Sequence, residues 1–279
     1  MKTIVALLSF FAIVCLQAQD KESCCMSASQ QFAALISDAK FVNAHLEPLP
    51  FHYSAKQGEW VTFKTTDSAD GRAFEVKSSK PTDNYILLIH EWWGLNDYMQ
   101  REAENLQKEL GSVNVLAVDL YDGKVAATRE DAGKFMGEVK EERARAVMAG
   151  AIKYVGPIAR IGTIGWCFGG GWSLQASLMA GSQAVACVMY YGMPEKDVET
   201  LKKLNAPVLG IFGTKDQWIS PAVVAEFEKN MKQAGKTLTV KSYNADHAFA
   251  NPSNPQHDKP ATRDAHKRTV AFFKSHLLK

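Results

Sequence analysis

Gly165-Trp166-Cys167-Phe168-Gly169-Gly170-Gly171 decides the reading of this chain. The apolar run Ile158 to Ile164 precedes it and reads as a strand, while Trp172 to Met179 reads as a helix. A residue held at a sharp strand-to-helix turn needs small neighbours two before and two after it, so that the flanking backbones can approach. Gly165 and Gly169 meet that requirement, which makes the stretch a nucleophile elbow with Cys167 at its tip. The amide of Phe168 would then open a helix and point where a tetrahedral oxyanion forms. On these residues alone, a glycine-rich turn around a buried structural cysteine is the competing interpretation.

Outward from the elbow, strand and helix patterns alternate. Asn84 to Ile89 is a continuous apolar run, and a helical pattern from Asp97 to Leu110 stops at Gly111. Val113 to Val118 is a further strand, Arg129 to Tyr154 is polar and helix-rich, and Val185 to Tyr190, Val208 to Phe212 and Leu238 to Tyr243 repeat the strand pattern. A last helix is expected from about Thr262 to Leu278, and Trp60 to Phe63 with Ala73 to Val76 flank Asp70-Gly71 as a hairpin. This order predicts an α/β fold with a mostly parallel sheet and helices on both faces. Chemistry in such sheets gathers at the carboxyl ends of the strands.

Two more strand ends carry the right residue types. Gly213-Thr214-Lys215-Asp216 follows one strand and Asn244-Ala245-Asp246-His247 another, giving the chain order Cys167, Asp216, His247 of a nucleophile, an orienting acid and a base. His247 is chosen from seven histidines because His257 and His266 lie in polar or helical surroundings and His45 and His52 precede the sheet. Asp246 adjoins His247, but sequence neighbours rarely face one imidazole. His90-Glu91-Trp92-Trp93-Gly94 ends the Asn84 to Ile89 strand, where a second oxyanion amide is expected. Glu91 either hydrogen-bonds the resting thiol or is an exposed loop carboxylate. Trp92, Trp93, Trp166 and Trp172 are candidates for the acyl pocket, with core packing as the alternative.

These residues together resemble the dienelactone hydrolase family of α/β-hydrolases, from about Trp60 to the C-terminus. The resemblance rests on His90-Glu91-Trp92-Trp93-Gly94-Leu95, Val118-Asp119-Leu120-Tyr121, the cysteine elbow, Gly213-Thr214-Lys215-Asp216 and Asp246-His247-Ala248-Phe249. It implies an α/β-hydrolase fold and hydrolysis of a lactone or carboxylic ester through an acyl-cysteine. Carried across, Cys167 is the nucleophile, His247 the base, Asp216 its orienting acid and Glu91 the partner of the cysteine, with the oxyanion held by the amides of Trp92 and Phe168. Trp93 and Trp166 are then substrate-binding candidates. The family's carboxylate-binding arginines are matched less closely: Asn251 stands four residues after His247, and Arg129 is placed only by following Asp119-Leu120-Tyr121. A peptidase or thioesterase on the same scaffold, and a non-catalytic protein with a sequestered Cys167, are the alternative functions.

The composition is that of an ordinary soluble globular protein. The 279 residues are 46% hydrophobic and 22% charged, with 32 basic against 30 acidic positions and a formal charge of +2. That excludes global disorder and gives no nucleic-acid surface. A monomer or small homo-oligomer is expected, with no cofactor and no metal. Met1-Lys2, the apolar run Ile4 to Leu16 and Ala18 read as a signal peptide over residues 1–18, so the protein is expected to be periplasmic or extracellular. The run is too short to span a membrane, which takes about 20 residues. Val14 before Cys15 is bulky where lipoprotein processing wants a small residue. Residues 19–55 read as an N-terminal extension with a short amphipathic helix from Ser27 to about His45, and 56–279 as the hydrolase domain. Five cysteines are too few for a disulfide framework. Of these, Cys24-Cys25, with Met26, could hold a soft metal such as copper(I) or simply belong to a tail.

Overall fold

The computed structural model describes residues 26–278. The signal segment, Cys15 and the Cys24-Cys25 pair lie outside the described residues.

Eight strands form one sheet in the order β1-β2-β4-β3-β5-β6-β7-β8. They are β1 (Glu59–Phe63), β2 (Gly71–Val76), β3 (Asn84–Ile89), β4 (Asn114–Val118), β5 (Arg160–Trp166), β6 (Ala184–Tyr190), β7 (Val208–Gly213) and β8 (Leu238–Tyr243). The β1–β2 and β2–β4 pairings are antiparallel, and from β4 to β8 every pairing is parallel. The chain is therefore the α/β fold that the alternating pattern predicts. Burial follows position: β4 is buried throughout, whereas the edge strand β8 is half exposed and alternates. Such central strands read as unbroken apolar runs in sequence, which is why Asn84 to Ile89 stands out.

Helices cover the sheet. The sequence elements that hold the site are α3 (Asp97–Leu110), α4 (Arg129–Glu138), α5 (Glu141–Val155), α6 (Phe168–Ala180), α8 (Pro221–Gln233) and α9 (Lys259–His276), with a single-turn α7 (Val198–Leu201) before β7. Among the described residues, no helix is long and apolar enough to cross a membrane.

The N-terminal segment departs from the expected single helix. It forms α1 (Ala28–Ala33), a 3₁₀ turn (Ala34–Ser37) and α2 (Ala39–Ala44). Asp38 causes the break, because its extended backbone and its carboxylate, which accepts from the Lys40 amide at 2.8 Å, start a new helix there. Ser27 caps α1 in a capping box with Gln30 and also hydrogen-bonds Glu141 at the start of α5. The segment is thus tied to the helices covering the sheet rather than trailing from them.

Candidate active site

The elbow after β5 is tight because its glycines leave no room for anything larger. A Cβ on Gly165 would stand 2.0 Å from the Gly169 carbonyl oxygen, and one on Gly169 would stand 2.3 Å from that of His90. Cys167 carries the resulting strain, with φ at +55° and ψ at −119°. Phe168 opens α6 directly behind it, and its amide lowers the thiol's pKa slightly against the larger effect of burial. Cys187 is a different kind of cysteine: buried in β6, it touches the Ser173 hydroxyl at 3.7 Å, and burial raises its thiol to about 11.

Asp216, in the loop after β7, and His247, after β8, converge on the elbow. His247 Nδ1 lies 2.6 Å from Asp216 Oδ2, and Nε2 lies 3.5 Å from Cys167 Sγ. The other carboxylate oxygen of Asp216 accepts the amides of Trp218 and Ile219, both at 2.9 Å, which fixes the carboxylate plane. Burial works against the charge on each of these groups. The neighbouring His247 nonetheless holds the Asp216 carboxyl below its usual range, and Asp216 in turn holds His247 well above the ordinary imidazole range. Burial dominates at Cys167 and pushes its thiol up.

The loop after β3 is pinned by His90, whose Nε2 accepts the Leu120 amide at 3.1 Å, leaving Nδ1–H to donate to the Glu91 carbonyl at 2.6 Å. Glu91 is not an exposed loop carboxylate: it is 2% exposed, and burial raises its pKa to about 8. Asn251 lies beside it, and one carboxyl oxygen, Oε2, is buried without a hydrogen-bond partner. The side-chain partners of the thiol are instead two imidazole nitrogens, Nε2 of His247 and Nε2 of His45. Trp92 and Trp93 are buried with their rings 5.1 Å apart. Trp166 lines a cavity of about 350 Å³ together with Glu91, Asn251, Tyr98, Arg101 and Arg263. Arg129 is not brought to these groups. It sits at the start of α4, where its Nε donates to Glu47 Oε1 at 3.1 Å in the N-terminal segment.

The feature that the strand-end logic misses is His45. It lies at the end of α2, buried, with Nδ1–H donating to the Phe41 carbonyl at 2.7 Å and Nε2 standing 3.9 Å from Cys167 Sγ. Burial, reinforced by the His247 charge, lowers its pKa to about 3 and keeps it neutral. Phe32 and Phe41 bring α1 and α2 against His247, with ring centroids 6.3 and 6.0 Å away, and Asp38 accepts from the Trp218 indole N–H at 3.1 Å. Cys167 is 0% exposed under this cover. The only hint in the sequence is the spacing of Phe32, Leu35, Ile36, Phe41 and His45, an apolar face with an imidazole at its end.

Comparison with known proteins identifies the family. Residues 71–277 match the family model described as the dienelactone hydrolase family. A protein named usf from Aquifex pyrophilus is 30% identical over 205 residues, covering 69% of this chain and 88% of its own. Carboxymethylenebutenolidase 1 from Cupriavidus pinatubonensis is 26% identical over 223 residues, covering 74% of this chain and 93% of its own. Among solved structures, a dienelactone hydrolase-like promiscuous phosphotriesterase from metagenomic libraries superposes with a TM-score of 0.64 at 18% identity, over 79% of this chain and 99% of its own, a likeness of fold.

Proposed function

The chain belongs to the dienelactone hydrolase family, and from that premise we propose that it is an ester or lactone hydrolase working through an acyl-cysteine on Cys167. Membership supports the reaction class, with a small molecule as substrate. The observation that carries the mechanism is the chain from Asp216 through His247 to Cys167, with contacts of 2.6 and 3.5 Å ending on a strained elbow.

In the proposed cycle one proton is shared between Cys167 and His247: from the neutral Nδ1–H imidazole the thiol proton passes to Nε2, a transfer that the raised basicity of His247 favours, and the thiolate attacks the carbonyl carbon. The oxyanion is held by the amides of Phe168 and Trp92. The carbon–oxygen bond to the leaving group breaks as His247 protonates that oxygen. Water, deprotonated by His247, then attacks the thioester and releases the acid and the thiol. Asp216 keeps the Nδ1–H tautomer in place and balances the imidazolium charge. Because burial raises the resting thiol, the reactive thiolate forms in this reading only when the imidazole and the oxyanion amides act together on a bound substrate.

The cavity beside Glu91 and Trp166, about 350 Å³, is in the range of small-molecule sites; it is lined by neither Cys167 nor His247, so in this reading a compact substrate held there reaches the sulfur past the Glu91 loop. The run Ile4 to Leu16 supports an exported enzyme. Turnover of a panel of activated esters, lactones, thioesters and peptides tests the reading. Cys167→Ala should lose at least roughly 10⁴-fold in kcat on the ester or lactone that wild type prefers.

A further inference from the structure

We propose that His45, Cys167 and His247 form a zinc site that fastens the N-terminal segment over the nucleophile. The three side chains are buried, and their ligand atoms, two imidazole Nε2 and one Sγ, all lie within 4.8 Å of one another. Sulfur-to-nitrogen distances are 3.5 and 3.9 Å. A zinc ion with Zn–S near 2.3 Å and Zn–N near 2.0–2.1 Å at tetrahedral angles needs about 3.6 Å between those atoms. The two sulfur-to-nitrogen distances bracket that value, and the two nitrogens, within 4.8 Å of each other, would close to about 3.3 Å on coordination.

The groups behind the ligands are in place as well. A metal-bound imidazole usually donates its far N–H to a carboxylate or a backbone carbonyl, which fixes its tautomer and direction. Here His247 does so to Asp216 at 2.6 Å and His45 to the Phe41 carbonyl at 2.7 Å. Both Nε2 atoms therefore face the sulfur. Each histidine comes from a different part of the chain, one from the cover and one from the sheet, so a shared ion would join the two.

Charge selects a divalent cation. With the thiolate and the Asp216 carboxylate each at −1 and both imidazoles neutral, one zinc ion leaves the buried cluster neutral, whereas a monovalent ion leaves it anionic, at a cost in a low-dielectric site. Two nitrogens and one thiolate also form a borderline donor set that suits zinc. No electron moves in the step: the hydrated cation sheds water, the S–H bond breaks, the thiol proton leaves to solvent with any proton on His247 Nε2, and bonds form from Sγ and the two Nε2 atoms. The sulfur lone pair and the base are then both occupied, so the zinc form is closed to acylation, a consequence that rests on the hydrolytic reading above.

The test uses the full chain carrying Cys24→Ser and Cys25→Ser, which removes the vicinal thiols. Zinc titration should give one ion per chain, and cobalt(II) should give a thiolate-to-metal charge-transfer band that Cys167→Ser abolishes. In His45→Gln, with its thermal melt checked, zinc affinity should fall by more than the roughly 10- to 100-fold expected of an outer partner. Asp216→Asn, which removes such a partner, should fall within that range and serves where His45→Gln does not fold. No stoichiometric zinc, copper(I) binding without zinc, or undiminished affinity in these variants would overturn the site. Zinc binding in a protein that hydrolyses no ester in its metal-free form would support the site and defeat the hydrolytic reading. Ester turnover without zinc binding would do the reverse.

Discussion

His45 Nε2 stands 3.9 Å from Cys167 Sγ across 122 positions of sequence, so the residue that ends α2 is a direct neighbour of the proposed nucleophile. Cys167 has 0% exposure with this segment in place, so in the proposed reaction a substrate needs the groups around the thiol to shift, His45 among them. The reactivity of the thiol thus reports local opening of residues 28–45, a motion separable from global unfolding.

Asp38 is the hinge pin of that cover, because its carboxylate caps α2 at the Lys40 amide and accepts the Trp218 indole N–H at 3.1 Å. Asp38→Ala should weaken the cover by about 1–2 kcal/mol, the size of a lost cap. Alkylation of Cys167 in the folded protein is expected to speed up about 5- to 30-fold, with little change in the global melting temperature. An unchanged labelling rate would mean that the cover does not gate the thiol.

Acid should also open the cover. His45 is held at about 3 when buried and returns towards 6.5 when exposed. Its folded pKa is depressed, so the open form takes up a proton that the closed form refuses, and closure is lost as pH falls from 6.5 towards 3. Around it are His247, Cys167 and Asp216. Hydrogen exchange of the α2 amides, corrected for its intrinsic pH dependence, should rise by between one and two orders of magnitude from pH 7 to pH 4.5, as one proton taken up on opening requires. His45→Gln should flatten that dependence, and a wild-type profile already flat would contradict it.

Much of this molecule was legible in the sequence because its signals are local. Apolar runs marked the buried strands, and the strand ends carried Cys167, Asp216 and His247. Two things escaped for opposite reasons. The break at Asp38 was local but masked by the continuing apolar spacing of Phe32 to Phe41, which made one helix of three pieces. The role of His45 was not local at all: preceding the sheet is a reason to discount a histidine only if the N-terminal segment stays away from the strand ends, and tertiary packing brings it there. The contact of Arg129 was as little visible, since its partner Glu47 lies in that segment.

The elbow glycines give a sharp stability contrast. In Gly169→Ala the new Cβ would meet the Ile89 and His90 carbonyl oxygens at 2.4 and 2.3 Å, backbone that cannot retreat. Loss of more than about 4 kcal/mol, seen as failure to accumulate folded protein, is expected. Gly133→Ala, inside α4 with nothing within 4 Å of its added Cβ, should instead stabilise by roughly 0.5–1 kcal/mol in denaturant melts. Equal effects at the two sites would refute the steric account.

Glu91 sets a second pH dependence, opposite in sign to that of His45. Its pKa is raised from 4.5 to about 8 by burial, so the folded state keeps a proton that the unfolded chain releases. Its contribution is full below pH 4.5 and is lost as pH rises to 8, by up to roughly 1 kcal/mol per pH unit. Glu91→Gln should therefore gain stability relative to wild type steadily across that window. Parallel stability profiles would show that Glu91 is ionised in the folded protein.

The central claim is that Cys167 carries the acyl group. Rapid acid quenching of wild type during turnover of an activated ester, followed by peptide mass spectrometry, measures this directly. The expected result is one acyl group on the peptide containing Cys167, accumulating in Asp216→Asn because water activation slows, and absent from Cys167→Ala. An acyl group on another residue, or undiminished turnover in Cys167→Ala, would contradict the account.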